Sequence, residues 1–499
     1  MRYLYRVQRF IILYKVLRQH KYAGVLPRKG ESLLKQTSAA VACSSPTPHV
    51  RWFSRPRLIA LFCMGAVITL VVMASVGPTG WDAQGYWKAV QAVHHDSDPY
   101  AEDLVALQAF HNRLASNPAE RPPFVYVYSP MTLPFLRLLP VIPRWLLGLL
   151  YWAAVATGAL LQLWAGFQMA DQRERRWLAL MLPAIIFFPG LITDDAILSG
   201  NVAYPLYGVI LAAATAGWKH GRWSWYYIAV LAASVFKTPF LVFLAFPVLM
   251  ESGRDRDSDR GRRQWVPSAM TAIIGVLIFA AQIRLWPGLF REYLSSLRLV
   301  FDYLHDFGYG PAGTVGRALW RRGLPSSLAT TILHLLVVGV LGIVLFFLAR
   351  RVREWNLPRE AWVPVALVGT ALLNPRIMKY DLAAITIPML LIGGRALRFA
   401  LGRSAGETSG ESQAANLHPI GQKRFDRTLI LAASGCVLIP NVITVAGPFW
   451  FPVEAVVLLA IFAMGVWLLD QSSEVPVLRK TPRTVELGFA ENWGLETEN

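Results

Sequence analysis

The stretch LIALFCMGAVITLVVMASV, Leu58–Val76, decides the fold class: nineteen residues without a charge. A bilayer-spanning helix needs roughly 20 predominantly apolar residues. Similar runs recur to the end of the 499-residue chain, which is 55% hydrophobic and 16% charged with mean hydropathy +0.40. A soluble chain carries about 25% charged residues. The pattern predicts an all-α polytopic membrane protein, because in lipid every backbone polar group needs an internal partner.

The net charge of +18 raises the question of nucleic acid, and the distribution of the charge answers it. Residues 1–57 hold twelve Lys/Arg against one acid, Glu31. Further basic clusters lie between apolar runs: QRERR at 172–176, WKHGR at 218–222, RDRDSDRGRR at 254–263, RRVRE at 350–354 and a mixed loop at 395–428. This is the positive-inside pattern of cytoplasmic loops, and no nucleic-acid partner is expected. Cys43, Cys63 and Cys436 lie far apart, with neither disulfide nor metal spacing. RFIILYKVL, Arg9–Leu17, is too short to span and suits an interfacial basic helix.

With a basic cytoplasmic segment at 1–56, a first span at about 57–77 leads to a long external loop at about 78–127. YWKAVQAV and YAEDLVALQAFHNRLA in that loop have helical periodicity. Later apolar runs fall at about 145–169, 177–192, 201–217, 224–250, 265–285, 327–349, 360–373, 382–394, 428–446 and 448–469. Residues 224–250 are too long for one simple span, and two half-length helices broken at FKTPF, with both ends cytoplasmic, fit the flanking charges. YSPMTLPFLRLLP at 128–140 either crosses, which places QRERR outside, or is re-entrant. A second long external segment lies at about 286–326, and 470–499 is a polar tail, expected to be cytoplasmic and disordered. The expected membrane domain is therefore 57–469.

The first candidate for chemistry is Asp82, just past the first span in TGWDAQGYW. A carboxylate at the interface amid Trp81, Tyr86 and Trp87 can be a partly desolvated general base, or a helix cap. Asp194–Asp195, before AILSGN, can wall the same cavity or cap a helix. Lys237 in FKTPF sits within an apolar run, where a charge faces a cavity or a partner or snorkels to the interface. Arg376, Lys379 and Asp381 in NPRIMKYD stand together on the expected external side, where cations are few. They suit a phosphate at the membrane surface, or an ion pair of Asp381 with one of the cations. His94 and His95 have no further ligand at metal spacing.

Several segments in order resemble glycosyltransferase family 87, of the GT-C class of membrane glycosyltransferases. They are Asp82 and Tyr86 after the first span, Asp98-Pro99-Tyr100, the segment FVYVYSPMTLPFLRLLP with Tyr128, Gly200–Asn201 opening a span, FKTPF, and NPRIMKYD. The resemblance covers roughly 57–395. It departs at Ser129, where proline is usual, and at Tyr380–Asp381, where many members carry histidine.

The resemblance implies a GT-C bundle of about 10–13 transmembrane helices, with two long external loops carrying short interfacial helices. It implies a polyprenyl-phosphate sugar donor, typically mannose, a glycolipid or glycan acceptor, and no cofactor or metal. The residues it assigns are Asp82 as base, Arg376, Lys379 and Lys237 for the donor phosphate, and Tyr86, Asp98, Tyr100, Tyr128, Asp194, Asp195, Asn201, Tyr380 and Asp381 for substrate. The reaction would run inverting, at the periplasmic or extracellular face of the inner (plasma) membrane. Two other readings stay open: a lipid-linked sugar polymerase or ligase, and a flippase or transporter of lipid-linked sugars. The unequal loops, without internal repeats, argue against a transporter.

Overall fold

A computed structural model describes residues 81–114, 123, 125–187, 200–251, 264–304, 307–355, 357–406 and 451–474. The expected spans at 57–77 and 428–446, the basic segment 1–56, the tail beyond 474, and Asp194 and Asp195 lie outside the described residues, as does the side chain of Lys379. Every regular element among the described residues is helical.

The segment expected to be external forms α1 (Trp81–His94) and α2 (Pro99–Leu114). Proline at the first position of α2 loses no helical hydrogen bond. Asp98 Oδ1 caps the helix, accepting from the Tyr100 amide at 2.8 Å. Residues 128–140 fold as a turn of 3-10 helix at Pro130–Thr132, the four-residue α3 (Leu133–Leu136) and another 3-10 turn at Leu139–Val141. Prolines 130, 134 and 140 interrupt any longer helix. Pieces this short do not supply the roughly 20 helical residues of a crossing.

The bundle continues with α4 (Arg144–Met169), α5 (Gln172–Phe187), α6 (Ala203–His220), α7 (Ser224–Phe236), a 3-10 stretch at Thr238–Leu244 and α8 (Ala245–Glu251). Then come α9 (Trp265–Leu285), α10 (Pro287–Leu304), α11 (Pro311–Arg321), α12 (Ser326–Trp355), α13 (Arg359–Leu372), α14 (Ala383–Gly406) and α15 (Phe451–Glu474). Among the described residues, four helices are long and apolar enough to cross a membrane: Trp145–Met169, Trp265–Leu285, Ser326–Trp355 and Tyr380–Phe399. Three shorter apolar helices accompany them, at Ser224–Phe236, Thr238–Met250 and Ala455–Gln471. Large apolar side chains along these helices, such as Val276, Leu277, Val340 and Phe347, are exposed, as expected where lipid replaces water.

Helices α4 and α6 pack in parallel at very short range. A Cβ on Gly208 would lie 2.4 Å from the Gly158 carbonyl oxygen. Such small-residue contacts let membrane helices approach where burial against lipid gives no hydrophobic gain.

The expected break at FKTPF is present. Lys237 leaves the helical conformation (φ −140°, ψ 106°) two residues before Pro239, which stands in the first turn of the following 3-10 stretch. The chain then folds back on α7: Tyr226 Oη donates to the Phe243 carbonyl at 2.6 Å, and the Trp223 ring meets Phe246 at 6.0 Å. Lys237 is the crest of this hairpin.

The bundle has two chemically distinct ends. At one end, Arg395 forks onto Glu174, with Nε–Oε1 at 2.8 Å and Nη2–Oε2 at 3.0 Å. Arg398 reaches Asp171 at 3.0 Å, and Arg359 donates to the Trp218 carbonyl at 2.6 Å. Three of the basic clusters, at 172–176, 218–222 and the start of 395–428, thus gather with Arg359 where α4, α6 and α14 finish and α5 and α13 begin. At the other end lie Asn201, Lys237 and Tyr380. Over that end sits a separate small core of Ala89, Val90, Tyr100, Tyr126, Leu133 and Tyr293, joining α1, α2, residues 125–136 and α10.

Candidate active site

The site begins with α1. Asp82 lies in its first turn, where the helix dipole favours a negative charge. Tyr86 follows one turn later on the same face. That face meets the linker into α6 at two points. Asn201 Nδ2 donates to Asp82 Oδ2 at 2.9 Å, and the Val202 amide donates to Tyr86 Oη at 3.4 Å. Asn201 Oδ1 accepts from the Ala203 amide at 2.8 Å, which fixes the orientation of the amide group. Gly200 makes this approach possible. Its φ is +70°, and a Cβ there would sit 2.6 Å from the Ala83 Cβ. The Gly-Asn pair is thus read physically: glycine for the close turn, asparagine for the carboxylate.

Asp82 is half-buried. Burial pushes its carboxyl above the ordinary aspartate value of 3.8, against the lowering effects of Lys237, the Asn201 hydrogen bond and Arg376, while Asp381 adds to the rise. A carboxylate raised in this way is a better proton acceptor near neutral pH than an exposed aspartate.

The opposite wall comes from the hairpin crest and from residues 374–381. Lys237 Nζ donates to Tyr380 Oη at 3.0 Å and lies 5.6 Å from the centre of the Tyr128 ring. Its charge interacts with Asp381, Asp82 and Arg376. Asp381 is buried with both oxygens engaged: Oδ1 accepts from Tyr207 Oη and Oδ2 from the Met378 amide, each at 2.8 Å. Arg376 lies over the Phe301 ring at 5.7 Å, and the Tyr309 amide donates to the Ile377 carbonyl at 2.7 Å. The α10–α11 connection therefore packs on the arginine loop.

Tyrosines form the floor. The Tyr86 and Tyr128 rings are 4.7 Å apart. Tyr100 Oη donates to the Tyr128 carbonyl at 2.6 Å. Ser129 Oγ donates to Gln282 Oε1 at 2.8 Å, tying the segment to α9.

Of the sequence candidates, Asp82, Tyr86, Tyr128, Asn201, Lys237, Arg376, Tyr380 and Asp381 therefore come together. Asp98 and Tyr100 stand one layer back, the first capping α2 and the second, fully buried, supporting Tyr128. Sequence reading missed Tyr207 and Gln282. A hydroxyl and an amide inside otherwise apolar helices were the available signal.

Compared with protein-family models, curated proteins and solved structures, the chain matches none of them. The chain is thus defined by its own fold and residues: a helical protein with apolar helices of membrane-crossing length.

Proposed function

We propose that this chain is an inverting membrane glycosyltransferase that carries a hexose, mannose by the family resemblance, from a polyprenyl-phosphate donor to a glycolipid or glycan hydroxyl. The observation that carries the reading is one cluster drawn from three distant segments. A raised, half-buried carboxylate, Asp82, faces Lys237, Arg376 and Asp381 at one end of an apolar bundle.

Asp82 takes the proton of the acceptor hydroxyl. The freed oxygen bonds to the anomeric carbon, the bond from that carbon to the phosphate oxygen breaks, and the electron pair leaves with polyprenyl phosphate. Charge grows on the phosphate as the bond breaks, so Lys237 and Arg376 favour the transition state over the ground state. Lys379 is a third cation of the same loop. Tyr86, partly exposed, can offer its ring to a sugar, with the buried Tyr128 packed behind it.

The charges make donor and base interdependent. Lys237 and Arg376 are matched by Asp82 and Asp381. A bound phosphate draws the cations to itself and leaves Asp82 more basic. The donor would then sharpen the base that uses it. The resemblance places this end of the bundle at the external face of the plasma membrane, within reach of a donor whose prenyl chain stays in the bilayer.

The test is transfer of label from radiolabelled polyprenyl-phosphate mannose to a native lipid extract by purified protein in nanodiscs, wild type beside Asp82→Asn. A labelled product from wild type alone is expected. Product from both would remove Asp82 from the role of base. Movement of donor between leaflets without product would favour a flippase.

A further inference from the structure

The end of the bundle away from Asp82 has a feature that glycosyl transfer does not use. Helices α12 and α15 meet in a groove of about 790 Å³, within the roughly 300–1,000 Å³ of small-molecule sites. Its walls are apolar, from Val344 and Phe347 on α12 to Phe462 and Val466 on α15. At one end Arg350 and Arg351 line it.

We propose that this groove binds one anionic phospholipid, its acyl chain along the apolar walls and its phosphate on Arg350 and Arg351. Three observations identify the occupant. First, α12 has 30 residues, or about 45 Å of helix, against a hydrocarbon layer of roughly 30 Å. Its charged run begins at Arg350, so the groove passes from hydrocarbon to headgroup depth where the arginines start. Trp355 and Trp467 line the same region, and tryptophan favours that interface.

Second, the arginines are held loosely. Arg350 Nε lies 3.6 Å from Glu354 and Arg351 Nη1 lies 3.9 Å from Asp470, with all four side chains largely open. Exposed pairs of this kind contribute about 0–1 kcal/mol. A phosphate that accepts two parallel hydrogen bonds from a guanidinium binds more strongly. Third, a zwitterionic headgroup would bring its own ammonium against Arg350 and Arg351, which line the groove. That like-charge contact favours a net negative headgroup over a zwitterionic one.

The reading is independent of the proposed reaction, and so is its test. Delipidated full-length protein would be mixed with phosphatidylglycerol or phosphatidylcholine of the same chains, and retained lipid counted by native mass spectrometry. Wild type should retain phosphatidylglycerol several-fold better. R350Q/R351Q should bring the ratio close to one. Val466→Trp fills the groove with the arginines intact and should reduce retention of both lipids. Equal retention by wild type, or an unchanged ratio in R350Q/R351Q, would overturn the proposal. So would a photo-crosslinker at Phe347 that captures residues 475–499 of the chain instead of lipid.

Discussion

Asn201 donates its side-chain amide to Asp82 at 2.9 Å across 119 residues of sequence. The bond ties α1 to the start of α6. It also joins Lys237 in opposing the rise that burial imposes on the carboxyl.

The first prediction concerns pH. Asp82 must be ionised to act as a base, so transfer should rise with pH through a value above the ordinary 3.8 of aspartate. Asn201→Ala removes a lowering interaction and should move this acid limb upward, leaving most activity on the alkaline side. The pH profile of kcat checks both. A limb that stays put in Asn201→Ala would break the link between the two residues.

Lys237 should separate folding from chemistry. Lys237→Met leaves the buried Asp381 without its nearest charge partner, at a cost of roughly 1–3 kcal/mol, and should lose transfer. Adding Asp381→Asn should restore much of the melting temperature and none of the activity. Recovery of both would make the lysine structural.

The small core joining α1, α2, residues 125–136 and α10 should loosen as pH rises. Burial pushes Asp103 up to about 6, and its carboxylate accepts from the Tyr126 amide. A hydrogen bond with Asp98 pushes Glu292, which joins α10 to the start of α2, up to about 7. For acids raised in the folded state, the stabilisation is complete below the unfolded values of 3.8 and 4.5 and is lost as pH passes the folded ones. Between pH 5 and 8, hydrogen exchange at residues 125–136 should therefore quicken. Asp103→Asn, which still accepts from Tyr126 but does not ionise, should flatten the dependence. For Asp103 the effect is of the order of 3 kcal/mol at most.

At the other end of the bundle, Glu174→Ala leaves the largely buried Arg395 with backbone carbonyls alone for partners and should cost roughly 1–3 kcal/mol. Glu174→Leu with Arg395→Met should recover much of that, because two buried charges are exchanged for apolar packing. Folded fractions of either variant should transfer sugar at nearly the wild-type rate. A large kcat loss would connect the two ends of the molecule.

Much of this was legible before any coordinates. Apolar runs and basic loops announce membrane helices, and Pro239 beside a stranded lysine announces the break at 237. Asp82 and Tyr86, four residues apart, already share a face. What pattern does not carry is which distant polar groups complete them. Tyr207 and Gln282 read as isolated residues within apolar helices, and only packing shows that one holds Asp381 and the other Ser129. The segment 128–140 is apolar enough to look like a crossing, yet its prolines restrict it to short turns. Composition measures the affinity for lipid, whereas crossing also needs an unbroken ladder of hydrogen bonds.

The hairpin crest at Lys237 has a practical consequence. Because the chain doubles back there, Ser224 and Glu251 emerge at the same end of the bundle. An epitope spliced between Gly221 and Ser224 and another placed just after Glu251 would be shielded or reached together in sealed vesicles. A topology map built by counting hydrophobic stretches would put them on opposite sides and would invert everything downstream.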